Sequence, residues 1–294
     1  VTGLHDEQRL VHAADTAREC EERGDWLRAV QQYLLLIEER PDLLEARVKL
    51  AYAYAELGNL RAAEQVLLRA LGNAFEPPDV INALGEMFLR FGDEDRAVWY
   101  YEQLLPKAMP HVHATMGLIA WRRGELSQAE RHLARCLDLD PGRPAVRLLL
   151  GEVLLNSGRS RAAVELLERY DSCNSADWKA QYLLSAAYAA EGRFEDARHA
   201  CEKAMALRGG EPRLLAAAAE YGMRLGDMDG AERLLCDALS KAPESTEVLN
   251  GLGFLALMKA DRRKALEMFS RTLSIDPGDT IALGHVRLLE LRRG

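Results

Sequence analysis

His111 and His113 stand two residues apart beside Pro110, an H-x-H spacing that offers two imidazole nitrogens to a metal ion. A protein zinc site needs further ligands, and no Cys, Asp or third His stands nearby at a fitting spacing. The pair therefore reads as two solvated rings at a helix start. Five cysteines, Cys20, Cys136, Cys173, Cys201 and Cys236, form no C-x-x-C pair and are odd in number. That pattern argues against a disulfide framework and for small core residues in a reducing compartment. The glycines build neither G-x-G-x-x-G nor a phosphate loop ending in Lys-Ser or Lys-Thr. Single Ser, Cys and His residues lack the nucleophile–base pairing that covalent catalysis needs. The expectation is a chain with no catalytic, cofactor-binding or metal-binding residues, and hence not an enzyme. A site assembled from distant residues would leave no motif, so an enzyme with a cryptic groove site is the lesser alternative.

The elements that position these side chains follow from composition and period. Of the 294 residues, 48% are hydrophobic and 29% charged, enough for a large core, and only 6% are aromatic. Leu, Ala, Glu and Arg dominate, which favours helix over strand. A formal net charge of −8 disfavours broad binding to nucleic acid or anionic lipid. No apolar run is long enough to span a bilayer and no basic, apolar leader opens the chain, so neither membrane insertion nor export is expected and the expected location is cytoplasmic. Val1 leaves two histories open: an unusual start codon, or a mature chain that has lost a leader.

Alanine is the ruler of the sequence. Ala29, Ala63, Ala97, Ala129, Ala163, Ala197, Ala231 and Ala265 recur at steps of 34, with a single step of 32 between Ala97 and Ala129. Five positions before them stand Gly24, Gly58, Gly92, Gly124, Gly158, Gly192 and Gly226, with Ala260 in the eighth place. Apolar residues on either side of this mark follow helical spacing, as in Leu50, Ala51 and Tyr54 before Gly58 and Ala63, Val66, Leu67 and Ala70 after it. Each period is thus two helices, A and B, with the glycine in the left-handed conformation that closes helix A. Pro41, Pro77, Pro110, Pro141, Pro212, Pro243 and Pro277 mark the end of helix B. Seven positions before the turn stand small residues, Ala17, Ala51, Gly85, Gly117, Gly151, Ser185, Ala219 and Gly253, which let helix axes approach. Tyr33, Leu67, Tyr101, Leu133, Leu167, Cys201, Leu235 and Phe269 are expected to fill the space between neighbouring units.

The 34-residue period, the small residue of helix A, the glycine turn, the alanine followed by an aromatic or Leu in helix B, and the closing proline resemble tetratricopeptide repeats. The resemblance covers roughly residues 10–279. It implies an all-α, right-handed superhelical solenoid forming a single domain over residues 1–294. Its eight repeats are expected over 10–43, 44–77, 78–109, 110–143, 144–177, 178–211, 212–245 and 246–279, with a capping helix over 280–293. The third repeat is two residues short, with Pro106 ending its helix B early, so local distortion is expected there. A looser linker is expected around 171–175, where the closing proline is missing. The first helix, from Ala13 to Arg23, reads as a polar cap. Arg287 in the small-residue place marks 280–293 as a closing helix, covering the eighth repeat through Ile281, Leu283 and Val286.

The resemblance also implies that helix A lines a concave surface along which partners lie. Inward positions of the second and third repeats are mixed and partly acidic (Tyr52, Glu56, Glu86, Arg90). Those of the fourth to sixth are mostly apolar: Leu118, Trp121 and Arg122, then Glu152 and Leu155, then Lys179, Tyr182, Ala186, Ala189 and Ala190. The seventh brings Glu220 and Arg224, and the eighth Glu247, Asn250, Phe254, Leu257 and Met258. The lysines of a carboxylate-gripping adaptor are missing, since Val48, Tyr52, Asn82 and Glu86 occupy the matching places. The candidate partner-binding residues are Tyr52, Leu118, Trp121, Arg122, Glu152, Leu155, Lys179, Tyr182 and Phe254, with Trp121 and Tyr182 as main anchors and the charged members setting direction and register. The expected function is a non-catalytic protein-interaction scaffold or adaptor that holds a peptide or helix with apolar anchor residues. The alternative is a regulatory or substrate-recruiting subunit of an enzyme complex. A weak homodimer through Leu288 and Leu291 is a secondary expectation.

Overall fold

Strong helix formers at helical spacing, broken by glycine and proline, produce a chain in which every regular element of the described residues is helical. A computed structural model describes residues 2–72, 77–171 and 176–291. Its helices are α1 (Thr2–Arg23), α2 (Trp26–Glu39), α3 (Leu44–Glu56), α4 (Leu60–Leu68), α5 (Pro77–Arg90), α6 (Glu94–Leu104) and α7 (Pro110–Arg122). They continue as α8 (Leu126–Leu139), α9 (Pro144–Asn156), α10 (Ser160–Asp171), α11 (Trp178–Ala190) and α12 (Phe194–Arg208). The last are α13 (Pro212–Arg224), α14 (Met228–Lys241), α15 (Thr246–Met258), α16 (Arg262–Ile275) and α17 (Thr280–Leu291). Odd-numbered helices up to α15 are the A helices of the repeats, and even-numbered ones the B helices. The chain divides into two compact units, Val1–Gly124 with Asp138–Pro141, and Glu125–Leu137 with Gly142–Gly294.

The turn chemistry is uniform. Gly24, Gly58, Gly92, Gly124, Gly158, Gly192 and Gly226 all have φ between +70° and +88°, where a Cβ is strained. Ala260 takes the same conformation at φ +58° and bears that strain. The residue after the turn adds a second device that sequence reasoning passed over. Asp25, Asn59, Asp93, Asp227 and Asp261 each accept a hydrogen bond from the backbone N–H three residues on, at 2.9 to 3.3 Å, capping helix B. The signal was in plain view as Gly-Asp or Gly-Asn at four of these turns and Ala-Asp at the fifth. The prolines divide into two roles: Pro77, Pro110 and Pro212 open an A helix, where a missing N–H is harmless, while Pro41, Pro243 and Pro277 lie in the turn after a B helix.

Packing corrects one expectation about the large residues of helix B. A Cβ built on Gly85 would lie 2.7 Å from the Tyr101 ring, one on Gly151 would lie 2.9 Å from Leu167, and one on Gly253 would lie 2.7 Å from Phe269. These residues first fill the notch of their own hairpin, because the small A-helix residue leaves room sixteen positions earlier. Leu235 also serves the next repeat, where a Cβ on Gly251 would lie 2.9 Å from it. In the first unit one core joins Ala51, Leu67, Leu84, Phe88, Tyr101 and Met116 across successive repeats. In the second, Ala219, Leu235, Leu249, Leu252 and Met268 do the same.

Several boundaries differ from expectation. Helix α1 begins at Thr2 rather than near Ala13; no proline interrupts 2–23, pairs such as Arg23–Glu19 at 3.3 Å support its polar face, and Leu10, Ala13, Ala17 and Cys20 pack with Ala29 and Tyr33 of α2 on the other. Helix α6 has 11 residues and passes into a 3₁₀ turn at Leu105–Lys107 that holds Pro106, followed by Ala108 at φ +51°. Helix α4, with no proline at its end, is shorter still at 9 residues and passes into a 3₁₀ turn at Arg69–Gly72. Cys20, Cys136 and Cys201 are buried, but Cys236 is exposed, because it falls on the outer face of α14 next to the inward Leu235. Cys173 and the linker positions 172–175 lie outside the described residues, as do 292 and 293 of the expected closing helix.

The closing helix buries a different face from the one expected. Ala282 and Leu289 are buried and Val286 packs with Phe254 and Phe269, whereas Ile281 is exposed and Leu283 only partly covered. His285 decides the rotation: its ring stacks on Phe269 at 4.9 Å and meets Phe254 edge-on at 4.9 Å, so Ala282, three before it, and Leu289, four after it, turn inward.

An ion-pair cluster ties the seventh and eighth repeats. Glu232 on α14 accepts from Lys259 and Lys264, both at 2.7 Å, which holds its carboxyl down at about 2 from an ordinary 4.5. This contribution is complete above pH 4.5 and is lost as pH falls through about 2. Its side chain is a third exposed (33%), so the expected gain is only about 1 kcal/mol. Melting temperatures of wild type and Glu232→Gln, measured from pH 7 to pH 2, should differ at neutral pH and converge at the acid end. Parallel curves would show that the cluster adds nothing to folding.

Candidate partner-binding groove

The A helices of the sixth to eighth repeats, α11, α13 and α15, are rich in small residues. Ala216–Ala219 run through α13, and Ala186, Ala189 and Ala190 lie on α11. Small side chains there leave an open cavity of about 1030 Å³ within the second unit. Tyr182, Ala186, Ala189 and Ala190 form one wall; Ala216, Ala217, Glu220, Tyr221 and Arg224 form the floor; Glu247, Asn250, Phe254 and Leu257 form the other wall. Phe194 from α12, Asp279 just before α17 and Ile281 in its first turn also line it.

Burial and charge set the chemistry of this groove. Tyr182 is half-buried, and desolvation, then the Glu247 carboxylate, push its hydroxyl above the usual range. Glu247 keeps half its side chain in contact with solvent (53%). Yet the surrounding concavity displaces bulk water, and that desolvation raises its carboxyl against the pull of Arg213, 4.0 Å away. Neighbouring Glu220 pushes it further in the same direction. Arg224 lies over the Phe194 ring at 5.6 Å. Asn250 is buried and donates to Asp279 at 3.0 Å, while Asp279 also caps α17 by accepting from the Ala282 N–H at 2.8 Å. Below the floor, Ser185 and the Tyr221 hydroxyl meet at 3.4 Å, and burial pushes the Cys201 thiol up to about 11, a value for a packed and inert thiol.

The sequence-derived candidates are distributed over both units. Tyr182 and Phe254 line this groove together. Lys179 is exposed at the start of α11 beside Trp178 and does not reach it, and Glu152 and Leu155 sit half-buried on α9. Tyr52, Leu118, Trp121 and Arg122 belong to the first unit. There Tyr52 lies under Arg90 at 5.0 Å and beside Phe91, Leu118 is exposed, Trp121 is half-buried, and Arg122 pairs with Glu94 at 2.5 Å. The cavity runs over the sixth to eighth repeats, and of the candidates in the fourth to sixth only Tyr182 lines it. Phe194, Tyr221 and Ile281 were not among the candidates, because they come from a B helix, the back of α13 and the closing helix. The two rings of the H-x-H pair go separate ways: His111 Nε2 lies 2.9 Å from Asn82 Oδ1, and His113 is buried in α7. Among the described residues no three His, Cys, Asp or Glu side chains gather as a metal site, and no helix is long and apolar enough to cross a membrane.

Tetratricopeptide repeat family models match residues 44–76, 120–188 and 178–203, ranges that fall on the helical hairpins described above. The chain carries tetratricopeptide repeats. It is 24% identical over 219 residues to the TPR repeat-containing protein YpiA of Bacillus subtilis (strain 168), a match covering 73% of this chain and 52% of that one. It is 26% identical over 160 residues to the BBSome complex member BBS4 of Bos taurus, covering 54% of this chain and 31% of the relative. The chain thus spans about half of the first relative and about a third of the second. The C-terminal part of a TPR repeat-containing protein from Cytophaga hutchinsonii superposes with a TM-score of 0.59 at 18% identity, covering 81% of this chain and 99% of that one. Such solenoids are protein-interaction scaffolds, and the tetratricopeptide repeats here carry the fold suited to that role.

Proposed function

We propose that this chain is a non-catalytic scaffold or adaptor that holds a segment of another protein in the groove formed by α11, α13 and α15. The observation that supports this reading most is the open cavity of about 1030 Å³, walled by alanines and by the half-buried rings of Tyr182 and Phe254. An unfilled apolar concavity of this size gains by covering its surface, and two rigid rings supply large contact area at low entropic loss. The likeness to a protein named as a complex member fits a place in a larger assembly.

Affinity purification with wild type and with Tyr182→Ala/Phe254→Ala tests the reading. Partners recovered by the wild type should be lost from the double variant. For an identified segment, Tyr182→Ala alone should weaken binding by about 1–3 kcal/mol while leaving the melting temperature nearly unchanged. Equal recovery by both chains would sink the groove assignment. Loss caused instead by Trp121→Ala would move the site to the first unit, and unfolding of the Tyr182 variant would assign that ring to the core.

A further inference from the structure

We propose that the groove takes a partner segment carrying a lysine or arginine side chain between apolar ones, the cation seated against Glu220 and Glu247 and the apolar residues against Ala186, Phe254 and Leu257. This rests on the reading that the groove binds a protein segment at all, and it names the kind of segment.

Charge complementarity carries the inference. Three carboxylates line the groove, those of Glu220, Glu247 and Asp279, against one guanidinium, that of Arg224. Asp279 is already committed, accepting from Asn250 and from the start of α17. Arg224 is occupied over the Phe194 ring at 5.6 Å. Glu220 forms no ion pair among the described residues, and Glu247 has only Arg213 at 4.0 Å, a long contact between side chains 67% and 53% exposed. Two carboxylates close enough to perturb each other therefore face an apolar concavity with little to neutralise them. A wholly apolar segment would strip water from both without replacing it. An acidic segment would add a third negative charge and be repelled. A cationic side chain answers both carboxylates, while apolar neighbours cover the alanine wall and Phe254. The chain's net charge of −8 favours the approach of such a segment.

Random dodecapeptides displayed on phage and selected on the intact chain provide the test, with the Tyr182→Ala/Phe254→Ala chain as counter-selection. The expected result is enrichment of sequences with Lys or Arg flanked by apolar residues, bound by wild type and lost on the counter-selecting chain. A representative free peptide should then bind Glu220→Gln/Glu247→Gln about tenfold more weakly at low salt, and exchanging its basic residue for Met should abolish that difference. Enriched peptides that are uncharged or acidic, or that bind the glutamine variant equally well, would overturn the basic-segment assignment and leave the groove reading standing. Peptides indifferent to the Tyr182 and Phe254 substitutions, or no enrichment at all, would overturn the groove reading and this inference with it.

Discussion

Ala163→Trp should destabilise the second unit by more than about 3 kcal/mol, because overpacking at a helix crossing cannot be relieved by moving one side chain. Ala163 is fully buried on α10, one turn before Leu167, which already fills the notch at Gly151 so closely that a single added Cβ would stand 2.9 Å from it. An indole placed there must push α10 away from α9, and that movement would open Leu167, Val153 and Leu150 to water. Circular dichroism melting checks this against Arg161→Trp, whose site on the same helix is 86% exposed and should change stability by no more than about 0.5 kcal/mol. An unchanged transition in the Ala163 variant would mean that α10 is packed in another register.

Removing everything after Asp279 should cause the second large effect, a loss of about 3 kcal/mol or more together with self-association. Helix α17 covers Phe269, Ala256 and Ala265 with Ala282, Val286 and Leu289, and its His285 ring stacks on Phe269. The backbone carbonyl of Leu289 also accepts from the Arg262 guanidinium, tying the last turn to α16. Without this helix the end of the eighth repeat presents a fully buried aromatic to solvent, and solenoid ends left apolar attract one another. Size-exclusion chromatography and melting of the shortened chain would register both consequences. Val286→Asp/Leu289→Asp in the full chain should reproduce them without altering its length. A shortened chain as soluble and stable as the parent would overturn the covering role, and intact behaviour of the double variant would move that role to another face of α17.

These two predictions rest on different amounts of sequence information. Ala163 was identifiable by period alone, since it occupies the same place as Ala63, Ala97 and Ala197, all fully buried. The face of α17 was not. Ile281, Leu283 and Val286 look like the apolar stripe, but Leu288, Leu289 and Leu291 extend apolar residues around the helix. The contact of His285 with two phenylalanines chose among the alternatives and left Leu288 and Leu291 57% and 78% exposed. The capping aspartates were legible and overlooked, whereas the full burial of Tyr101 on Gly85 required the distance between two helices.

The sequence by itself determined what depends on neighbours along the chain: the helical hairpin, its 34-residue period and the left-handed turn. Each follows from local backbone chemistry repeated eight times, so it survives the imperfect repeats and even Ala260 in place of glycine. Only the tertiary structure decided where inward positions become an enclosing groove. Tyr182, Glu220 and Phe254 lie far apart in sequence, and whether they face one cavity depends on how closely α11, α13 and α15 approach. That approach is governed by packing among residues from several repeats, with the alanines of α13 forming the floor and the closing helix adding Ile281 at one end. Repetition makes the repeats alike in sequence, and small differences in side-chain volume between neighbours leave an open concavity along one stretch of them.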